Sequence, residues 1–327
     1  MDRAYRDGSK FMLFLILFII LVAGFVLPAV FVAMGLGQED VDRLRTSPWF
    51  MIASQLVFIL APLLLWVYFR RGSFKDFMKN EPLGFANVAL VVGISFFVQP
   101  AMMFVSGLTG LFFPNEIADV VLGFMEYPFW LVLLAVAVTP AIVEEVVFRG
   151  YVQSRYEGFG IGKAAIISGL FFGIIHMNMQ QFFYAFILGV LFSYIVFYTR
   201  SIVAGILAHF IINASQVTLL RLVMLLEGML EEAPAAEYAL DVPEITPLMA
   251  VIVIGVFALF TSPVVFLLMR ELVARGKRAI AAKALEAPQD ESPQENVLPE
   301  SPPKRNPFTD PFLLAVVAVF LAFMVVS

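Results

Sequence analysis

The chain is 327 residues long, 61% apolar and only 14% charged, with 35 phenylalanines and a mean hydropathy of +0.91, whereas a soluble domain is about half apolar and a quarter charged. Apolar runs recur from end to end, which excludes a soluble globular protein on a single anchor and makes the hydrophobic stretches the fold itself. The absence of cysteine removes disulfides, thiolate nucleophiles and Cys-based metal sites together. The net charge of -5 includes no basic stripe with interleaved aromatics, so nucleic acid is not an expected partner.

Apolar windows predict an all-α, polytopic transmembrane bundle of about eight core spans with a ninth at the C-terminus. In chain order the spans run from Phe11 to Met34, Trp49 to Phe69, Phe85 to Phe113, Phe129 to Val152, Gly162 to Met177, Phe182 to Tyr198, Ile202 to Leu226, Leu248 to Met269 and Phe312 to Val326. The first follows Arg3, Arg6 and Lys10 as a signal peptide would, but its apolar run exceeds the about 7 to 15 residues of such a signal, so it reads as a retained span. With the N-terminus in the cytoplasm, eighteen of the 21 Lys and Arg residues fall on cytoplasmic segments, and only Arg43 and Arg45 fall on opposite loops. That asymmetry sets the expected orientation. The short loops suit a multi-pass protein of a bacterial inner membrane. The expected domain division is a helical domain over residues 1–274, with its core at about 129–216, a disordered cytoplasmic linker over 275–311 rich in Pro, Glu, Ala, Lys and Gln, and a last span over 312–327. Because that span lies outside the core, truncation after Lys283 is expected to leave a folded, active protein.

A charged residue at mid-membrane costs on the order of 2.5 to 3.5 kcal/mol on insertion scales, so it lines a cavity or finds a partner. The densest such cluster is Glu144-Glu145-Val146-Val147-Phe148-Arg149 on the fourth span. Glu145 and Arg149 are four apart on one helical face, acid before base, the favoured order for an ion pair. Glu144 is turned away by about 100°, which keeps its carboxylate free. The only two histidines, His176 and His209, both fall inside predicted spans. One intramembrane His is more often a packing residue than a catalyst, but two with none elsewhere shift that balance. Asn213 follows His209 by four residues, one above the other on one face, and Gly169 and Gly173 form a GxxxG that brings a neighbouring helix close. Pro140 should kink the fourth span beside the carboxylates and make room for water. Counted from the cytoplasmic ends, Glu144, His209 and Asn213 share a level. His176 joins them only if the hairpin through Asn178 to Gln181 ends below the outer surface, buried among other helices.

A free carboxylate, two imidazoles and an amide in one cavity suit hydrolysis by an activated water. No G-x-S-x-G and no HExxH occurs. Glu144 with His176 would deprotonate the water while His209 and Asn213 hold the developing oxyanion. Alternatively Glu144, His176 and His209 would bind a divalent metal such as zinc; the metal-independent reading is favoured, because Asn213 then has a role of its own.

Glu144-Glu145-x-x-x-Arg149, Phe172-x-x-x-His176 and His209-x-x-x-Asn213, in that order on successive spans, resemble the three motifs of the CAAX protease and bacteriocin-processing family (CPBP), the Abi or Rce-type intramembrane endopeptidases. The resemblance implies Glu144 as catalytic base with His176, His209 and Asn213 as the oxyanion site, and Glu145, Arg149 and Phe172 in support. It leaves the metal open. It implies cleavage of a peptide or lipidated protein at the bilayer, reached from the cytoplasm or laterally, or a part in bacteriocin immunity. Two other readings remain on the residues alone, an ion-coupled transporter and a non-catalytic immunity or scaffold protein.

Overall fold

The computed structural model describes residues 2–114, 118–231, 246–286 and 306–326. The architecture is an all-α membrane bundle. Seven helices are long and apolar enough to cross a bilayer and two shorter ones accompany them. In chain order they are α1 (Tyr5–Ala33), α2 (Pro48–Phe69), α3 (Phe85–Gly110), α4 (Phe129–Phe159), α5 (Ile161–Ile174), α6 (Met179–Thr199), α7 (Ile202–Glu227), α8 (Pro247–Glu286) and α9 (Pro311–Val325). Among the described residues the one extended pairing is an isolated bridge between Asn80 and Ser201.

Prolines shape these helices. A wide π turn precedes Pro28, Pro62 and Pro140 in turn, at Val22–Val26, Gln55–Leu60 and Leu134–Val138. A proline ring collides with the carbonyl four residues back and offers that carbonyl no N–H; one extra residue in the turn relieves the collision and leaves carbonyls for other partners. A further π turn, Val146–Val152, follows the two carboxylates of α4, and Ser168 of α5 donates to its Phe148 carbonyl at 3.1 Å.

Close approach positions the centre of the bundle. At Gly189 of α6 a Cβ would lie 2.6 Å from the Gly169 Cα of α5, and at Gly173 one would lie 2.9 Å from the Phe182 carbonyl oxygen. The expected GxxxG contact is thus α5 against α6, and it sets the depth of Phe172 and His176. The α5–α6 hairpin is held inside the bundle as expected: Asn178 accepts from the Gln181 N–H at 3.0 Å, and buried Gln180 donates to Ser106 of α3 at 2.7 Å while its carbonyl accepts from Thr109 at 3.1 Å.

Two expectations about the C-terminal region are corrected. The stretch read as linker from Arg275 continues α8 as helix to Glu286, tied by Arg275 to Glu271 at 2.8 Å and by Lys283 to Glu81 at 2.8 Å. Gly276 passes so close to the inner end of α6 that a Cβ would meet the Tyr198 carbonyl at 2.5 Å. The Pro- and Glu-rich residues after 286 pull the local composition toward disorder, whereas Arg275 to Glu286 is made of good helix formers; residues 287–305 lie outside the described residues. The last span, for its part, is not an appendage. Leu313, Val316 and Phe320 of α9 are buried in the main core with Phe11, Met12 and Leu15 of α1. At the inner end Ser9 donates to Asp310, and Ser9 and the Tyr156 hydroxyl are 2.7 Å apart. Removing residues 306–327 is therefore expected to expose this polar cluster to lipid and lower the melting temperature in detergent; an unchanged melting curve would show that α9 contributes nothing to the fold.

Candidate active site

The carboxylates of α4 sit where α2, α6 and α7 converge. Glu145 and Arg149, one helical turn apart, form the expected ion pair at 2.8 Å, both with fully buried side chains. Two guanidinium nitrogens of Arg149, Nε and Nη2, lack a hydrogen-bond partner. They lie instead against aromatic faces: the guanidinium carbon is 4.2 Å from the Phe172 ring centre and 5.1 Å from that of Phe192, so π faces substitute for the missing acceptors. The sequence gives no sign of the next link. His209 of α7 turns Nδ1 to the same Glu145 oxygen at 3.0 Å. A carboxylate only accepts, so the ring proton is on Nδ1. Gly205, one turn before His209, has no room for a side chain, since a Cβ would lie 2.7 Å from the other Glu145 oxygen.

Glu144 is held differently. Its Oε1 accepts from the Gln55 side chain of α2 at 2.9 Å, and its Oε2 is 3.9 Å from His209 Nε2. It makes no ion pair with Arg149, as its offset on the helix implied. Gln55 was not singled out from the sequence; the only signal is one carboxamide beside a serine in an otherwise apolar run, Met51-Ile52-Ala53-Ser54-Gln55-Leu56-Val57.

His176 follows the last turn of α5, and its Nδ1 lies 2.7 Å from the Phe172 carbonyl. A carbonyl also only accepts, which puts the proton on Nδ1 and leaves Nε2 bare in the neutral ring. The Phe172 ring meets both imidazoles edge to face, at 5.1 Å from His176 and 5.8 Å from His209. Asn213 donates from Nδ2 to the Val136 carbonyl at 3.0 Å. Val136 stands four residues before Pro140, and so loses the N–H a regular helix would offer it. One N–H of Asn213 is thereby committed to fixing the side chain, and the other remains.

Glu144, His176, His209 and Asn213 all line one cavity of about 900 Å³, near the upper end of the range for small-molecule sites, about 300 to 1,000 Å³. Pro140, Gln55 and Phe172 line it too. The structure thus brings together every expected site residue, with Glu145 and Arg149 forming the buried layer behind. Among the described residues no three His, Cys, Asp or Glu side chains are gathered into a group that could hold a metal ion.

Residues 126–215 match the family model described as Rce1-like, type II CAAX prenyl endopeptidase, a stretch that contains all three motifs. This segment is similar to the CAAX proteases. The match covers a little over a quarter of the chain. No curated protein and no solved structure matches the chain. That similarity agrees with a membrane hydrolase, and α4 to α7, which carry the matched residues, all contribute to the cavity.

The Gln55 contact has a measurable consequence. Losing one hydrogen bond to a charged group removes about 1.5 to 3 kcal/mol, which corresponds to roughly ten- to hundredfold in rate if the bond orients Glu144 for the reaction. Gln55→Met is expected to lower kcat by that factor with KM and melting temperature little changed. Unchanged kcat would remove Gln55 from the account.

Proposed function

We propose that the protein is an intramembrane endopeptidase that hydrolyses a peptide bond in a membrane-associated or lipidated polypeptide with a water activated by Glu144. The observation that carries this reading is the placement of a buried carboxylate outside the ion pair, 3.9 Å from His209 Nε2, in one cavity with His176 and Asn213.

In this mechanism the water oxygen attacks the carbonyl carbon and its proton passes to Glu144, with the bare Nε2 of His176 as the second acceptor. The C=O electrons move onto oxygen, which is held by the remaining N–H of Asn213 and by His209. His209 serves there as the imidazolium, donating from Nε2, and Glu145 on its Nδ1 partners that charge. When the tetrahedral intermediate collapses, the C–N bond breaks and Glu144 returns its proton to the leaving amine. No metal is needed at any step. The bilayer and a polypeptide substrate are the partners, and the orientation has the N-terminus in the cytoplasm of a bacterial inner membrane.

The test is a cleavage assay on a library of membrane-tethered and lipidated peptides, comparing wild type with Glu144→Ala. Cleavage that depends on Glu144 supports the reading. Gradient-driven flux in proteoliposomes without any cleavage would replace it with transport.

A further inference from the structure

The charge asymmetry gives each helix a direction across the bilayer. The ends beside the basic segments are the C-terminal ends of α2, α4, α6 and α8 and the N-terminal ends of the others. With those directions the cavity lies toward the opposite face. On α2 its lining residues are Met51 and Gln55, within the first turns after Pro48; on α3 they run from Gln99 to Ser106, in the half that ends at Gly110; on α7 they run from His209 outward to Val223. Glu144 and His209 are at its inner limit. Val120, Val121, Leu122 and Phe124, from the short helix Ala118–Phe124 between α3 and α4, also contribute.

The basic face, in contrast, is closed beneath the site. Buried Glu145 and Arg149 form the floor. Below them the connection from α2 to α3 folds back under the bundle: Met78 packs against Gly150, a Cβ there lying 3.1 Å from its sulfur, Lys79 pairs with Glu157 at 2.6 Å, and the Lys79 carbonyl accepts from the Ile202 N–H at 2.7 Å. Access from the cytoplasm, one of the two routes expected beside lateral entry from the bilayer, would have to displace this layer. The chemistry of the lining points the same way. No Lys or Arg is among the described lining residues, so the one cation of the proposed mechanism, His209, stands at the inner limit and is engaged by the oxyanion; outward of it the polar groups are neutral ones such as Gln99, Ser106 and Gln216, which suit an uncharged backbone.

We infer that the site is served from the face opposite the basic termini, and that it takes an uncharged, apolar internal segment of an exported or outer-leaflet polypeptide. The inference rests on the hydrolytic reading for its substrate, but its access claim is independent of activity. Because the natural chain has no cysteine, single cysteines report access without background. Gln99→Cys tests the cavity, with Gln38→Cys on the outer loop and Ser73→Cys on the inner one as references. With a membrane-impermeant methanethiosulfonate, Gln38→Cys and Gln99→Cys are expected to label in intact cells and Ser73→Cys only after permeabilisation. Labelling of Gln99→Cys only after permeabilisation, or reversal of the two references, would overturn the access claim while leaving hydrolysis intact. A reporter with the same apolar segment on an exported or a cytoplasmic tether completes the test. Glu144-dependent cleavage of the exported form supports the substrate class. Cleavage of the cytoplasmic form alone overturns it, and cleavage of neither, with Gln99→Cys labelled from outside, overturns the substrate class and the hydrolytic reading while access stands.

Discussion

Glu144→Gln is expected to lower kcat by about 10² to 10⁴, the contribution of a general base, while leaving the fold intact. The substitution keeps the shape of the side chain, and its amide oxygen still receives the Gln55 N–H that now reaches Glu144 Oε1 at 2.9 Å. What it removes is the carboxylate that, in the proposed mechanism, takes the proton of the attacking water. A thermal melt and a cleavage assay on the same preparation separate the two effects. An unchanged melt with activity lost is the expected outcome; a fall in kcat of less than about tenfold would contradict the assignment of the base.

The second large effect concerns Glu145 and Arg149. Removing one member of a buried pair leaves an uncompensated charge, at about 3 to 5 kcal/mol, and both side chains here have no exposed surface. Glu145→Ala and Arg149→Ala should each express poorly and melt early. Replacing both with leucine removes both charges, so Glu145→Leu with Arg149→Leu should recover stability. Activity should not recover, because His209 loses the carboxylate 3.0 Å from its Nδ1 and with it the partner for its charged form. A double variant that regains both stability and activity would reduce the pair to a structural role, and single variants of normal stability would contradict the buried charge pair.

The sequence carried most of the site because helical spacing is strict. Four residues separate Glu145 from Arg149, Phe172 from His176 and His209 from Asn213, and in each case the pair is stacked on one face as 3.6 residues per turn requires. The depth of Glu144 and His209 was legible by counting from the basic ends. Links between helices were not. Nothing in the spacing says that His209 faces Glu145 rather than standing free, or that Gln55, 89 positions from Glu144, donates to its carboxylate. Asn213 was expected only as an oxyanion donor, yet one of its N–H groups is used on the carbonyl that Pro140 strands. The place of α9 was hidden for the same reason: Ser9 meets Asp310 across 301 positions and Tyr156 across 147, and in lipid such polar contacts and close packing, not hydropathy, decide which helices associate.

The central claim is that Glu144 activates water for peptide hydrolysis without a metal. It is tested most directly by the cleavage rate of a membrane-tethered peptide with purified protein after dialysis against a chelator, with metal content measured on the same sample and Glu144→Gln run beside it. The account predicts full activity in metal-free wild type and none in the variant. Activity that disappears with the metal and returns on adding zinc, or cleavage that persists in Glu144→Gln, would contradict it.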